Sequence, residues 1–171
     1  VQWNCAQIGV FAQQVDPANG TLVGQPLKAP GSTWRIDGRD GYADLGLDEN
    51  LAFTGRPGAP GVFLAFSADN DARVRVWQVG AATSTAIASR KGSIGQVMLT
   101  PESSGGRLWV GWTESNRLWL QRSSAAAAFS GSPRPLDPPR GSNAPLLAIH
   151  TWDIAGAAGG TDVLYGYRRD G

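Results

Sequence analysis

The sequence contains three apolar triplets, Leu64-Ala65-Phe66, Val110-Gly111-Trp112 and Tyr165-Gly166-Tyr167, in which a small residue lies between two large ones. The triplets recur about every 50 residues, which is close to the length of a β-propeller blade. A short polar turn and a second alternating segment follow each of the first two triplets. This pattern predicts an all-β fold built from antiparallel modules of four short strands each.

The strand that follows each triplet recurs as well. Residues 10–13, 74–77 and 118–121 can be laid over one another as alternating apolar segments. Gly24-Gln25-Pro26 and Gly131-Ser132-Pro133 form a further matching pair. Proline cannot donate a hydrogen bond to a strand ladder, so these two segments are predicted to lie at the outermost edges of their sheets.

The repeat divides the single β-propeller region, residues 1–171, into a partial blade (1–30), two complete blades (48–90 and 93–139) and a second partial blade (144–171). Strands are expected near residues 50–54, 62–67, 73–79 and 84–88 in the first complete blade, and near 94–100, 107–113, 117–122 and 132–136 in the second. The N-terminal module corresponds to the third and fourth strands of a blade, and the C-terminal module to the first and second.

About three blades are too few to close a ring, because propellers typically have four to eight. We therefore expect a partial propeller, which is completed either by the remainder of a longer chain or by association of copies of this chain.

Composition agrees with an all-β fold, since 23 Gly and 11 Pro occur among the 171 residues. We expect no helix longer than two turns, and the Ala125–Ala128 run is predicted to be part of a loop. The strands that begin at Val62, Leu108 and Val163 are apolar on both faces, as expected for sheets stacked between neighbouring sheets.

Charge and length exclude several classes of partner. The formal net charge is +1, which gives no electrostatic basis for binding nucleic acid or an acidic membrane. No apolar stretch is long enough for a transmembrane helix, so membrane insertion is not expected. His150 is the only histidine, and no His-based zinc site or Ser-His-Asp triad is expected.

Residues 106–112 (Gly-Arg-Leu-Trp-Val-Gly-Trp) and 117–124, followed by Phe129-Ser130-Gly131 and Pro138-Pro139, resemble blades of sialidase-like β-propeller proteins of the BNR/Asp-box type. Secreted bacterial members of that group are the most similar. The resemblance implies a six-bladed, extracellular or cell-surface bacterial propeller, of which this chain would be about half.

Two short segments are similar to sialidase motifs. Trp34-Arg35-Ile36-Asp37 resembles the aromatic-Arg-Ile-Pro segment whose Arg holds the substrate carboxylate, and Gly31-Ser32-Thr33-Trp34 matches the end of an Asp-box turn. Trp34 and Arg35 are therefore the candidate ligand-binding residues. The alternative for Arg35 is a surface residue paired with Asp37 or Asp40, and Glu114 is expected to be a solvated turn residue. No catalytic residue is assigned.

A calcium site is a further hypothesis. Residues 40–45, Asp-Gly-Tyr-Ala-Asp-Leu, resemble the second half of the calcium loop in integrin-type propeller repeats, which makes Asp40 and Asp44 candidate metal ligands. Ile36 and Gly38 occupy places where that family has oxygen ligands. The alternative is an acidic loop between blades without a metal, and no other cofactor is expected.

Tryptophans could either pack between sheets or stack on sugar rings. Trp109 and Trp112 lie three apart on one predicted strand, so they face opposite sides of it and favour packing between two neighbouring sheets. Packing is also predicted for Trp77, Trp119 and Trp152, which leaves Trp34 as the best candidate for an exposed contact. Asn19-Gly20-Thr21 is a glycosylation sequon, but Asn-Gly favours a hairpin turn.

The interpretation that these observations favour is a non-catalytic, extracellular propeller domain that binds a glycan or protein ligand through loops at the ends of its blades. The first alternative is a fragment of a sialidase-like glycoside hydrolase whose remaining catalytic groups lie outside this chain. The second alternative is a structural module of a larger surface protein.

Overall fold

The computed structural model describes residues 9–32, 51–67, 73–87, 94–114, 117–136 and 149–167. Within these ranges the chain forms twelve β-strands and no helix. The strands are β1 (Phe11–Val15), β2 (Leu22–Lys28), β3 (Leu51–Gly55), β4 (Val62–Ser67), β5 (Val74–Gln78), β6 (Thr85–Ile87), β7 (Ile94–Pro101), β8 (Leu108–Glu114), β9 (Arg117–Arg122), β10 (Arg134–Leu136), β11 (Ile149–Ala157) and β12 (Gly160–Tyr167).

The strands form four sheets, in each of which neighbours in the chain are antiparallel neighbours in the sheet. Sheet A consists of β1 and β2, sheet B of β3 to β6, sheet C of β7 to β10, and sheet D of β11 and β12. The predicted all-β class is confirmed for the described residues. None of the four sheets is closed, so the propeller and its module boundaries stay predictions.

Side chains of consecutive sheets meet in three apolar clusters. The first contains Val10 and Ala29 of the sheet A region together with Leu64, Phe66 and Trp77 of sheet B. The second, and largest, joins sheets B and C. The third joins Leu118 of sheet C to Trp152 and Ile154 of sheet D. The sheets therefore follow one another in the order A, B, C, D, with an apolar layer between each pair.

Each triplet lies in the second strand of its sheet, where its small residue pairs with a residue of the first strand. Ala65 pairs with Ala52 of the preceding strand, Gly111 with Met98, and Gly166 with Thr151. A Cβ atom on Gly111 would lie 2.7 Å from the Trp152 ring. The small residue in the second strand of sheet C thus allows the first strand of sheet D to approach closely.

Local turn chemistry also agrees with the sequence. The Asn19 side chain accepts hydrogen bonds from the backbone and hydroxyl of Thr21, and Gly20 has a φ of 72°. The Asp16 carbonyl accepts a bond from the Gly20 amide. This Asx-type turn connects β1 to β2, as predicted from Asn-Gly.

Strand positions agree with the prediction to within two residues at each end in sheets B and C. Pro26 lies in the edge strand β2, and Pro133 directly precedes the edge strand β10. The Ala125–Ala128 run forms a turn, with Ala127 at a positive φ. These three expectations are confirmed.

The five tryptophans within the described residues pack as predicted. Trp112 belongs to the cluster between sheets B and C, whereas Trp109 packs against the cluster between sheets C and D. Trp77, Trp119 and Trp152 are buried.

Two expectations are wrong. Glu114 is not a solvated turn residue, because β8 extends one residue further than predicted and buries its side chain to 3% exposure. Strand β12 is not covered on both faces, because Leu164 is 75% exposed. Both errors concern whether other parts of the chain cover a strand residue, which the local sequence pattern does not specify.

Candidate functional site

The residues singled out for ligand or metal binding, Trp34, Arg35, Asp40 and Asp44, all lie in the segment 33–50, outside the described residues. Their assignments therefore stay predictions. The structure does describe the two residues that flank this segment. Ser32 follows β2, and Leu51 begins β3.

Hydrogen bonds of Ser32 hold the backbone in place just before this segment. The Ser32 side chain is buried, and its Oγ accepts a hydrogen bond from the Val10 amide at 3.0 Å while donating one to the Ala29 carbonyl at 2.6 Å. The Ser32 amide also donates to the Ala29 carbonyl. A serine hydroxyl used in this way closes a tight turn at the end of sheet A.

The same turn is held by sheet B. The Ser84 hydroxyl donates a hydrogen bond to the Pro30 carbonyl at 2.7 Å. Gly31 has a φ of 82°, and a Cβ atom there would lie 3.0 Å from the Arg75 guanidinium. Glycine is favoured here by both the left-handed backbone and the close approach of Arg75. Residues 29–32 are thus fixed to two sheets.

The best-formed charged cluster among the described residues lies in sheet C. Glu102 is 2% exposed and accepts hydrogen bonds from Arg122 Nε at 2.5 Å, Arg122 Nη2 at 2.8 Å and Trp109 Nε1 at 2.8 Å. Trp109 and Arg122 are direct partners across β8 and β9, and the guanidinium lies over the indole, 5.7 Å from its centre. The cluster combines a bidentate ion pair with a cation–π contact.

The protonation state of Glu102 follows from these contacts. The Arg122 hydrogen bond, and secondarily the Trp109 hydrogen bond, lower the pKa of Glu102 against the opposing effect of burial. The same hydrogen bond raises the pKa of Arg122. Glu102 is therefore held ionised, which suits a structural clamp better than a general acid.

Sequence reasoning did not identify this cluster. The three residues are separated in the chain and become neighbours only through the register of β8 on β9 and the turn after β7. A cross-strand pairing of the predicted strands would have placed Trp109 opposite Arg122, but it would not have placed Glu102 beside them.

Arg56 is a second polar contact that the sequence did not reveal. It follows β3, and its Nε donates to the Gly106 carbonyl at 2.8 Å while its Nη2 donates to the Ala125 carbonyl at 2.5 Å. Its guanidinium also lies 5.4 Å from the centre of the Phe63 ring. Arg56 thus ties a turn of sheet B to two turns of sheet C.

In the part of the chain that the structure describes, no group of three or more His, Cys, Asp or Glu side chains is arranged to hold a metal ion. In the same residues, no helix is long and apolar enough to cross a membrane. The calcium hypothesis for Asp40 and Asp44 is untouched by these results.

Comparison with protein-family models, curated proteins and solved structures finds no match for the chain.

Proposed function

We propose that the chain is a non-catalytic, extracellular or cell-surface β-propeller domain that binds a ligand through the segment 33–50. The ligand class that its residues fit best is a glycan bearing a carboxylate. A tryptophan such as Trp34 offers an apolar face to a sugar ring, and an arginine such as Arg35 can bind a carboxylate with two hydrogen bonds.

The observation that carries this proposal is the fixed turn at residues 29–32. Binding residues are commonly held on loops that a rigid scaffold positions. Here the last described residue before Trp34 is buried and bonded to sheet A, and Pro30 beside it is bonded to sheet B. The stacked sheets A, B, C and D supply the scaffold.

The Glu102 cluster supports a non-catalytic role for the described part of sheet C. A glycosidase requires a carboxyl group free to exchange a proton or attack the sugar. The two carboxylate oxygens of Glu102 already accept three hydrogen bonds, and its pKa is lowered by them.

Binding of a sialylated oligosaccharide to the intact chain, measured by isothermal titration calorimetry, tests the proposal. We expect Trp34→Ala and Arg35→Ala each to weaken binding by about tenfold or more, the effect of losing a stacked ring or a charged hydrogen bond. Arg39→Ala, in the same segment, is the matched control and should bind as the wild type does. Equal affinity in all four proteins would contradict a site at Trp34 and Arg35.

A sialidase-like glycosidase fragment is the second candidate, which the Trp34-Arg35-Ile36 match favours. Hydrolysis of a fluorogenic sialoside by the intact chain distinguishes it from a binding domain. Turnover that Arg35→Ala abolishes would replace the binding proposal with the enzyme. Binding without turnover would support the proposal as stated.

A further inference from the structure

The most exposed large apolar side chains of the described residues are Phe53 in sheet B, at 74%, and Leu164 in sheet D, at 75%. Phe53 lies on the face of sheet B that is turned away from sheet C and that sheet A partly covers, and Leu164 lies on the face of sheet D that is turned away from sheet C. The residues at the corresponding positions of the other strands, Leu99, Trp152, Phe63 and Trp109, are buried or half-buried.

Phe53 has two counterparts in the first strands of sheets C and D. It follows Ala52, the partner of Ala65, just as Leu99 follows Met98 and Trp152 follows Thr151. Leu99 and Trp152 are buried against the preceding sheet. Phe53 is exposed because, among the described residues, sheet A contains only two strands and covers only part of sheet B.

Leu164 has counterparts in the second strands. It lies two residues before Gly166, just as Phe63 lies two before Ala65 and Trp109 two before Gly111. Phe63 packs between sheets B and C, and Trp109 packs between sheets C and D. Leu164 points away from sheet C, because its neighbour Val163 is the residue that packs against that sheet.

Sheets A and D are complementary halves. In the alignment of residues 10–13, 74–77 and 118–121, Val10 and Ala12 correspond to Val74 and Val76 of β5 and to Leu118 and Leu120 of β9. Val10 directly precedes β1 and Ala12 lies in it, so β1 and β2 hold the third and fourth positions of a sheet. Strands β11 and β12 hold the first and second. In the described residues β12 pairs only with β11 and β1 only with β2, whereas in sheets B and C the second strand pairs with the third.

We propose that β1 and β2 of a second copy of this chain add to the free edge of β12, completing a four-stranded sheet in which Leu164 packs on Phe53 of that second copy. The reciprocal contact joins the second copy to the first. Each copy then contributes sheets B and C and half of each shared sheet, which makes six sheets in a closed, two-fold symmetric ring. This inference rests on the propeller architecture proposed above.

The outer face of sheet A supports the same arrangement. Phe11 corresponds to Trp119, which is buried against the preceding sheet, yet Phe11 is exposed together with Val15 and Leu22. In the shared sheet this apolar face would lie over the outer strands of sheet C of the other copy. Exposed apolar patches of this kind mark interaction surfaces in soluble proteins.

Disulfide trapping tests the contact directly. In a Cys5→Ser background, we expect Phe53→Cys and Leu164→Cys proteins to form a disulfide-linked dimer when mixed and oxidised, and neither to do so alone. A protein carrying both substitutions should give a covalent dimer and nothing larger. Cross-linking of Leu164→Cys to itself, a ladder of larger species, or an intramolecular bond would each overturn the closed pair.

Solution mass gives a second, independent measurement. Light scattering on the 171-residue chain should give twice 18.0 kDa, and Leu164→Lys or Phe53→Lys should raise the dissociation constant by about 100-fold, as for a central interface residue. Val23→Lys, an exposed apolar position on the other face of sheet A, is the matched control and should remain dimeric. A monomer at all concentrations would overturn the inference.

The two proposals fail separately. A monomeric chain that still binds the sialylated oligosaccharide through Trp34 and Arg35 would remove the second-copy contact and leave the ligand site standing. A dimer that traps through Phe53 and Leu164 but binds no glycan would do the reverse.

Discussion

The side chain at one position of the second strand is buried between sheets B and C but exposed on the outer face of sheet D. Phe63 in sheet B is 4% exposed, and Leu164 at the corresponding position in sheet D is 75% exposed. Both side chains are large and apolar, so the difference lies in the presence of a neighbouring sheet. Whether a strand residue is buried in this molecule thus depends on a neighbouring sheet, whereas the formation of the strand depends on pairing within its own sheet.

The largest loss of stability is expected from a substitution at the centre of the interface between sheets B and C. Trp112 is fully buried between sheets B and C, so Trp112→Ala is expected to lower the free energy of unfolding by about 3–5 kcal/mol. Val23→Ala, at an exposed position, should change it by about 0.5 kcal/mol or less. Urea unfolding of both variants measures the difference, and equal losses would contradict the packing of sheets B and C.

A smaller loss of stability is expected at Gly111, where the lack of a side chain allows sheet D to approach sheet C. Gly111→Ala places a Cβ atom 2.7 Å from the Trp152 ring and should destabilise the protein by about 1–3 kcal/mol. Gly55→Ala is the matched control, because a Cβ atom at that strand glycine meets nothing within 4 Å. The two free energies of unfolding come from the same urea titration.

The origin of the Gly111 effect can be isolated with a double mutant. Trp152→Leu removes the ring that the new methyl group meets, so Gly111→Ala should cost less in that background than in the wild type. Additive losses would show that the strain arises within sheet C, where the Leu120 side chain lies 3.0 Å from the same Cβ position, and not from the contact between sheets C and D.

The hydrogen bonds of Arg56 between sheets B and C should contribute less to the free energy of unfolding. Arg56→Met removes two hydrogen bonds to backbone carbonyls of sheet C turns and should cost about 1–2 kcal/mol, measured by thermal unfolding. Arg134→Met, in the edge strand β10, serves as a control with the same change of side chain. An Arg56 variant as stable as the wild type would show that the sheets are held by apolar contacts alone.

The smallest effect is a change in how stability depends on pH, and it occurs only at acidic pH. Because the pKa of Glu102 is lower in the folded protein, its ion pair with Arg122 contributes fully above the unfolded value of about 4.3 and is lost as the pH falls through the folded value. Stability measured from pH 7 to pH 3 should therefore fall less steeply in Glu102→Gln than in the wild type. Parallel profiles would contradict the stabilising ion pair.

The sequence predicts strands well in this chain because alternation and turn chemistry act over a few residues. Asn19-Gly20, Pro26 and the three small-residue triplets each specify local backbone geometry, and the corresponding elements occur as expected. The stacking of Trp109 and Trp112 on opposite faces also follows from strand periodicity alone.

The remaining features depend on which residues meet across sheets. Glu102, Trp109 and Arg122 converge only through strand register and a turn, and the burial of Glu114 depends on one added residue in β8. The predicted ligand and metal residues Trp34, Arg35, Asp40 and Asp44 lie outside the described residues, so the sequence remains their only support.

The bonds of Arg56 have a consequence for the order of folding. Each sheet is a meander of neighbouring strands whose contacts are close in the chain, so single sheets can form early. Arg56 reaches carbonyls 50 and 69 residues away, and these bonds can form only when sheets B and C are both in place. Its side chain thus reports on a late step, the docking of two finished sheets, and its loss should speed unfolding more than it slows folding.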